Sequence, residues 1–395
     1  MADVVVTCNQ LITGIPREKR FFKRFIAIEQ NKILKVGEGD GQDYIDDATT
    51  VISLKSDEIF IPGFIDLHIH GAHGADVMDG TEEAVQTMTA NLPAEGTTSF
   101  LATTITMAPQ AINRAIENAV SAEKLDGQAE VIGIHIEGPF INESKKGAQP
   151  LKYIMEPSFS LLNEWFKTGK GMIKQMTYAP ELSQGVEFTR FMQENGINPS
   201  VGHSDADYRT IVAAVEAGAN QVTHMFNGMS GVHHREPGVA GSALLIDELD
   251  IELIVDGIHI HPEMVKLAWK TKGTDRCLLI TDSMRAKGFP DGNYELGGQA
   301  VTVEDNKATL TSDGTLAGSV LKMNDAVANM LAFTGCSLED AIQMASYNPA
   351  RKAGVLDRKG SIEEGKDADF TVVNKNGEIT LTFCRGKEAF RKEGR

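Results

Sequence analysis

The chain has 395 residues, 42% hydrophobic and 24% charged. That composition excludes disordered, collagen-like and coiled-coil classes and leaves material for two or three domains, or for one large α/β barrel with an attachment. Thirty-eight Lys and Arg against 55 Asp and Glu give a net charge of −17, a field that repels nucleic acid and anionic membranes, so neither is an expected partner.

Residues 2 to about 58 read as short strands at Val4–Val6, Phe25–Glu29 and Lys32–Val36, broken by Asn31 and the Gly37–Gly41 stretch. Apolar runs then recur near Phe64, Thr97, Val131, Ile173, Asn198, Val222, Leu253 and Leu278, separated mostly by segments with helical spacing. Eight such βα units predict a closed parallel (β/α)8 barrel of the TIM type over residues 59–358. The helix after Thr81 puts Val85, Met88 and Leu92 on one stripe, and the helix opened by Pro109 does the same with Ile112, Ile116 and Val120. Residues 286–315, rich in Gly and Asp with alternating apolar positions, read as a β-hairpin insertion after the eighth strand. Ser337 and Asp340 form a capping box for the helix carrying Ile342 and Met344. Asp369–Val373 and Glu378–Phe383 are the closing strands, and segments 1–58 and 359–395 are expected to pair into one small β-sandwich domain.

Cys8, Cys277, Cys336 and Cys384 form no Cys-x-x-Cys pair and are too sparse for a disulfide framework, which fits a reducing cytoplasm. No basic-flanked leader is visible, and no apolar run approaches the roughly 18 residues of a membrane span.

The first barrel strand ends in FIDLHIH. Its period of two puts Asp66, His68 and His70 on one face, where two imidazoles can share a divalent metal. Glu137 closes VIGIHIEGPF, His203 closes PSVGH, His224 closes QVTH and Asp282 closes CLLITD. All of them fall at the ends of predicted strands where active-site groups of such barrels collect. A carboxylate ending an apolar strand is costly to bury without a partner, and one metal centre would satisfy the whole set. Nitrogen and oxygen ligands suit zinc, iron or manganese.

The segments PGFIDLHIHG, HIEGPF, GHSDA, THMFNGM, REPG, DGIHI, TDSM, TLAGS and SYNPAR, in that order over nearly the whole chain, resemble the N-acetylglucosamine-6-phosphate deacetylases of the amidohydrolase superfamily. The resemblance implies a metal-bearing barrel with a small β-sandwich built from both chain ends. It also implies hydrolysis of the acetyl amide of an amino-sugar phosphate, giving acetate and glucosamine 6-phosphate. Glu137, His203 and His224 then hold a primary metal, with Asp282 as the general base and acid. Some family members replace both histidines of the first strand and work with a single metal. This chain keeps them, so a second metal is expected on His68 and His70, with Glu137 bridging and Asp282 nearby.

By the same resemblance Asn227 and Gly228 hold the substrate phosphate, and Arg235 reaches it from the neighbouring subunit, which implies a homodimer. His259 matches the family's sugar-binding histidine, and Leu316, Ala317 and Gly318 match a stretch near the acetyl group. Gln149 stands where part of the family carries a carbonyl-polarising histidine; a hydrogen bond to the sugar and a plain loop position both stay open for it. For His135, a role behind the ligands and direct ligation stay open alike. The alternatives are another amidohydrolase, for which Lys174 could be the carboxylated bridge of hydantoinase-like enzymes, and a barrel scaffold that has lost its metal.

Overall fold

Eight short parallel strands, buried along almost all of their length, are the centre of the computed structural model, which describes residues 1–394. They are β1 (Phe64–Ile69), β2 (Thr97–Thr104), β3 (Glu130–Glu137), β4 (Ile173–Tyr178), β5 (Asn198–Val201), β6 (Gln221–Val222), β7 (Asp250–Ile254) and β8 (Cys277–Ile280). Each pairs with its sequence neighbour from β1 through to β8. Closure comes from a parallel bridge between Ile69 and Ser283 and from the Asp282 amide, which donates to the His68 carbonyl at 2.8 Å.

One main helix fills each gap, and local sequence explains the starts. Thr81 caps Glu82–Asn91 by accepting from the Ala84 amide, Pro109 opens Pro109–Ser121, and Ser337 and Asp340 cap each other's backbone as the spacing predicts. The apolar stripe Ile112, Ala115, Ile116 and Ala119 faces the barrel and is buried.

Two features depart from the sequence reading. The insertion after β8 is a three-stranded meander, Gly292–Leu296, Gln299–Glu304 and Lys307–Leu310, rather than a two-stranded hairpin. Two tight turns explain it, Gly297-Gly298 and Asp305-Asn306, all four residues having positive φ. The terminal sheet also reaches past residue 58. Strand Glu58–Pro62 pairs antiparallel with Phe370–Asn374, and Phe60 meets Leu11 of Val4–Leu11, so this segment stitches the two chain ends together. Phe60, Phe370 and Phe383 stack in its core, with ring centroids 4.3 and 4.7 Å apart.

Candidate active site

Two triads of ligating side chains meet at the C-terminal mouth of the barrel: His68, His70 and Asp282, and Glu137, His203 and His224. Glu137, at the end of β3, lies between them. Its Oε1 is 3.0 Å from His224 Nε2, 3.3 Å from His203 Nε2 and 3.4 Å from His68 Nε2, and its Oε2 is 3.3 Å from His70 Nε2. Asp282 Oδ1 stands 3.1 Å from His70 Nε2 and 3.4 Å from His68 Nε2.

His203, His224 and Asp282 have φ of 48°, 30° and 49°. Such left-handed backbone costs a non-glycine residue on the order of 1–3 kcal/mol and persists where the surroundings over-determine it. Here it turns three side chains inward directly past the strand ends.

Burial alone would raise the Glu137 carboxyl, yet the surrounding imidazoles hold it well below the usual range. Burial works the same way on Asp282, and His68 and His70 bring it down to about 2. The His68 imidazole would be pushed down by burial but is carried up to about 9 by Asp282, Glu137 and Glu252. His203 Nε2 and His224 Nε2 face each other at 3.1 Å, and His68 Nε2 is buried with no hydrogen-bond partner among the described residues. Ring nitrogens directed at one another and at carboxylates make a donor set that fits divalent cations.

A cleft of about 160 Å³ opens over this cluster, and His70, Gln149, Asn227, Gly228, His259, Leu316 and Gly318 are among the residues lining it. Gln149 is buried; its Oε1 accepts from the Thr106 amide at 2.9 Å and its Nε2 donates to Glu137 Oε2 at 2.6 Å. It is therefore no idle loop residue. Gly228 has φ +56°, and a Cβ there would stand 2.8 Å from His203 Nδ1, so glycine is required on both counts. The Asn227 amide donates back to the Met225 carbonyl at 3.1 Å.

Three further candidates stand away from the cleft of their own chain. Ala317 does not line the cleft: it is fully buried and packs with Met284, Ala286 and Leu310 under the meander. Arg235 is exposed, contacts His234 at 2.7 Å and stands outside the cleft lining of its own chain. Lys174 opens β4 at the opposite end of the barrel, beside Asn198 and Lys352, where it cannot bridge metals at the mouth.

His135 lies below the ligands and meets Thr177 Oγ1 at 2.7 Å, so it is not itself a member of either triad. Sequence reading missed two carboxylates. Asp256 Oδ2 accepts from His259 Nδ1 at 2.6 Å and orients that ring, and Glu252 Oε2 lies 3.1 Å from His68 Nδ1. Both stand in or just after β7, a largely apolar strand that also carries Asp250 at its start, the kind of signal that draws attention to Glu137 and Asp282.

Together, the barrel and its paired ligand triads define a metal-dependent hydrolase of the amidohydrolase type. The amidohydrolase family model matches residues 59–389. The chain is 45% identical to the N-acetylglucosamine-6-phosphate deacetylase of Bacillus subtilis over 94% of its own length and 98% of that protein's. It superposes with a TM-score of 0.85 on the deacetylase of Thermotoga maritima, at 34% identity and covering 98% and 100% of the two chains. A variant of the Mycobacterium smegmatis enzyme, in complex with N-acetyl-D-glucosamine-6-phosphate, gives a TM-score of 0.90 at 28% identity, with the same coverage. The chain belongs to the amidohydrolase family and, within it, to the N-acetylglucosamine-6-phosphate deacetylases.

Proposed function

We propose that this chain hydrolyses the acetyl amide of N-acetyl-D-glucosamine 6-phosphate to D-glucosamine 6-phosphate and acetate, with two divalent cations per subunit, of zinc, iron or manganese. The carrying observation is that four imidazoles from β1, β5 and β6 approach the one Glu137 carboxylate while Asp282 faces two of them. Glu137, His203 and His224 would hold one cation, and His68, His70 and Asp282 the other, with Glu137 reaching both. When bound, such cations acidify water and polarise the acetyl carbonyl.

The remaining work falls to the chain's own side chains. Asp282 takes a proton from the attacking water and returns one to the departing sugar amine. Gln149 and the Lys145 carbonyl, which His203 Nδ1 meets at 2.8 Å, hold Glu137 and His203 in place. Asp256 keeps His259 directed at the sugar, while Leu316 and Gly318 border the acetyl pocket. The phosphate is received by Asn227 and Gly228 and by Arg235 of a second copy, whose planar guanidinium suits phosphate oxygens. The exposure of Arg235 supports that homodimer, since the side chain has no role in its own cleft. All four cysteines are buried and unpaired, which supports a reducing cytoplasm, and no helix among the described residues is long and apolar enough to cross a membrane.

Acetate release from N-acetylglucosamine 6-phosphate, measured against dihydroorotate and cytosine and paired with metal analysis, tests the reading. Turnover of the sugar phosphate alone, lost in Asp282→Asn with the primary metal retained, is the expected result. Retained turnover in that variant removes the proton-transfer role.

A further inference from the structure

We propose that Glu252, in the middle of β7, is a positioning residue that fixes the metal-facing tautomer of His68 and thereby sets the affinity of the second cation. The inference rests on the two-cation reading above.

Glu252 is completely buried inside the barrel, one level below the ligands. Four donors converge on it. Oε1 accepts from Gln175 Nε2 at 2.7 Å and from Gln221 Nε2 at 2.6 Å. Oε2 accepts from the His224 amide at 3.2 Å and lies 3.1 Å from His68 Nδ1. A cage of side-chain and backbone amide donors accommodates only an acceptor at both oxygens, so the His68 nitrogen facing Oε2 is the one that carries hydrogen. In the neutral ring that a cation requires, the lone pair therefore belongs to Nε2, which faces Glu137 and Asp282, each 3.4 Å away.

That is the tautomer a cation needs, and the chain selects it from behind. One carboxylate thus touches a member of each triad: the ring of His68 and the backbone of His224, whose φ of 30° the bond helps to hold. Gln in place of Glu252 is close to isosteric but offers one oxygen and one NH2. With its oxygen towards Gln175 and Gln221, its NH2 meets His68 Nδ1 and the His224 amide, and His68 responds by moving its proton to Nε2, against the cation. With the amide reversed, NH2 meets NH2. Gln175 cannot turn freely to relieve the clash, because its Oε1 already accepts from Gln221 Nε2 at 2.8 Å.

The test titrates metal-free wild type and Glu252→Gln with zinc in competition with a chromophoric chelator, the melting temperature of each metal-free protein serving as the folding control. Wild type should take up two zinc ions per chain, and the variant should lose roughly 10–100-fold in affinity for one of them, with the other within about threefold. Equal affinities for both ions in the two proteins overturn the proposal. Should the variant fail to fold, long-range proton–nitrogen spectra of zinc-loaded wild type labelled at histidine nitrogen decide the matter, with His68 assigned by His68→Asn. Hydrogen on Nδ1 is the expected state; hydrogen on Nε2 with a bare Nδ1 overturns the assignment. A wild type that binds a single zinc defeats the two-cation reading instead, and the His68 tautomer in that protein still decides the role of Glu252.

Discussion

The mouth of the barrel and the seam that joins its opposite end to the terminal sheet both bury carboxylates, and they neutralise them by opposite means. In the seam, Glu130 at the start of β3 meets Arg358 at 2.9 Å, Lys359 at 3.0 Å and Lys124 at 2.7 Å. Asp367 pairs with Arg358 at 2.8 Å and Lys32 at 2.6 Å, and Asp369 pairs with Lys359. Every buried charge there has a permanently charged counterpart from the same chain.

At the mouth, Glu137 and Asp282 have only imidazoles as ion-pair partners, and the charge of an imidazole is conditional. Both ends of one strand, β3, carry a buried glutamate, and the difference between them is the identity of the partners. Lys and Arg close a structural joint, whereas His leaves lone pairs that a cation can use.

Chelation should separate the two regions most sharply. Removing metal is expected to abolish acetate release, with recovery on adding back zinc, iron or manganese, while far-ultraviolet circular dichroism stays that of a folded barrel because the seam needs no cation. Collapse of the fold on chelation would erase the distinction.

Next in size, Asp282→Asn should lower kcat by about 10²–10⁴-fold, the usual contribution of a positioned general base, as read by acetate release at saturating substrate. Lys359→Met should act on stability alone. It strips Asp369 and Glu130 of a buried partner and should cost about 3–5 kcal/mol in denaturant unfolding, with zinc affinity unchanged.

Arg235→Ala should raise KM by roughly 10–100-fold with kcat nearly constant, as expected when a charge-assisted contact to the phosphate is lost from ground and transition states alike. Mixing it with Asp282→Asn subunits should restore some low-KM activity if the arginine serves its neighbour's cleft.

The smallest effect is on acid stability. Burial would raise the Glu130 carboxyl, but Arg358, Lys359 and Lys124 hold it well below its ordinary value. A depressed folded value means stabilisation that is present above the unfolded pKa of about 4.3 and lost as pH falls towards the folded one. Unfolding free energy should therefore decline below about pH 4 in wild type, and less steeply in Lys359→Met, when both are followed by denaturant titration across pH 3 to 7.

Several of these groups could be read from the chain directly. The eight strands stand where apolar runs alternate with helical stripes, because strand and helix periods are local properties of side-chain order. Glu137, His203, His224 and Asp282 were legible for a related reason: polar groups ending apolar strands at one mouth have few uses other than a shared site. Glu252 carried the same kind of signal inside DIELI, yet its meaning depends on Gln175, Gln221, His68 and His224 arriving from three other strands, and no spacing in the sequence expresses that convergence.

Composition, period and strand-end chemistry were thus determined by the sequence by itself, because each depends on residues within a few positions of one another. Tertiary structure alone decided that Ala317 turns into the apolar cluster, that Arg235 faces outward and that one buried carboxylate serves both triads. Those outcomes depend on closure of the barrel, which brings together side chains up to 215 positions apart and sets which oxygen meets which ring nitrogen.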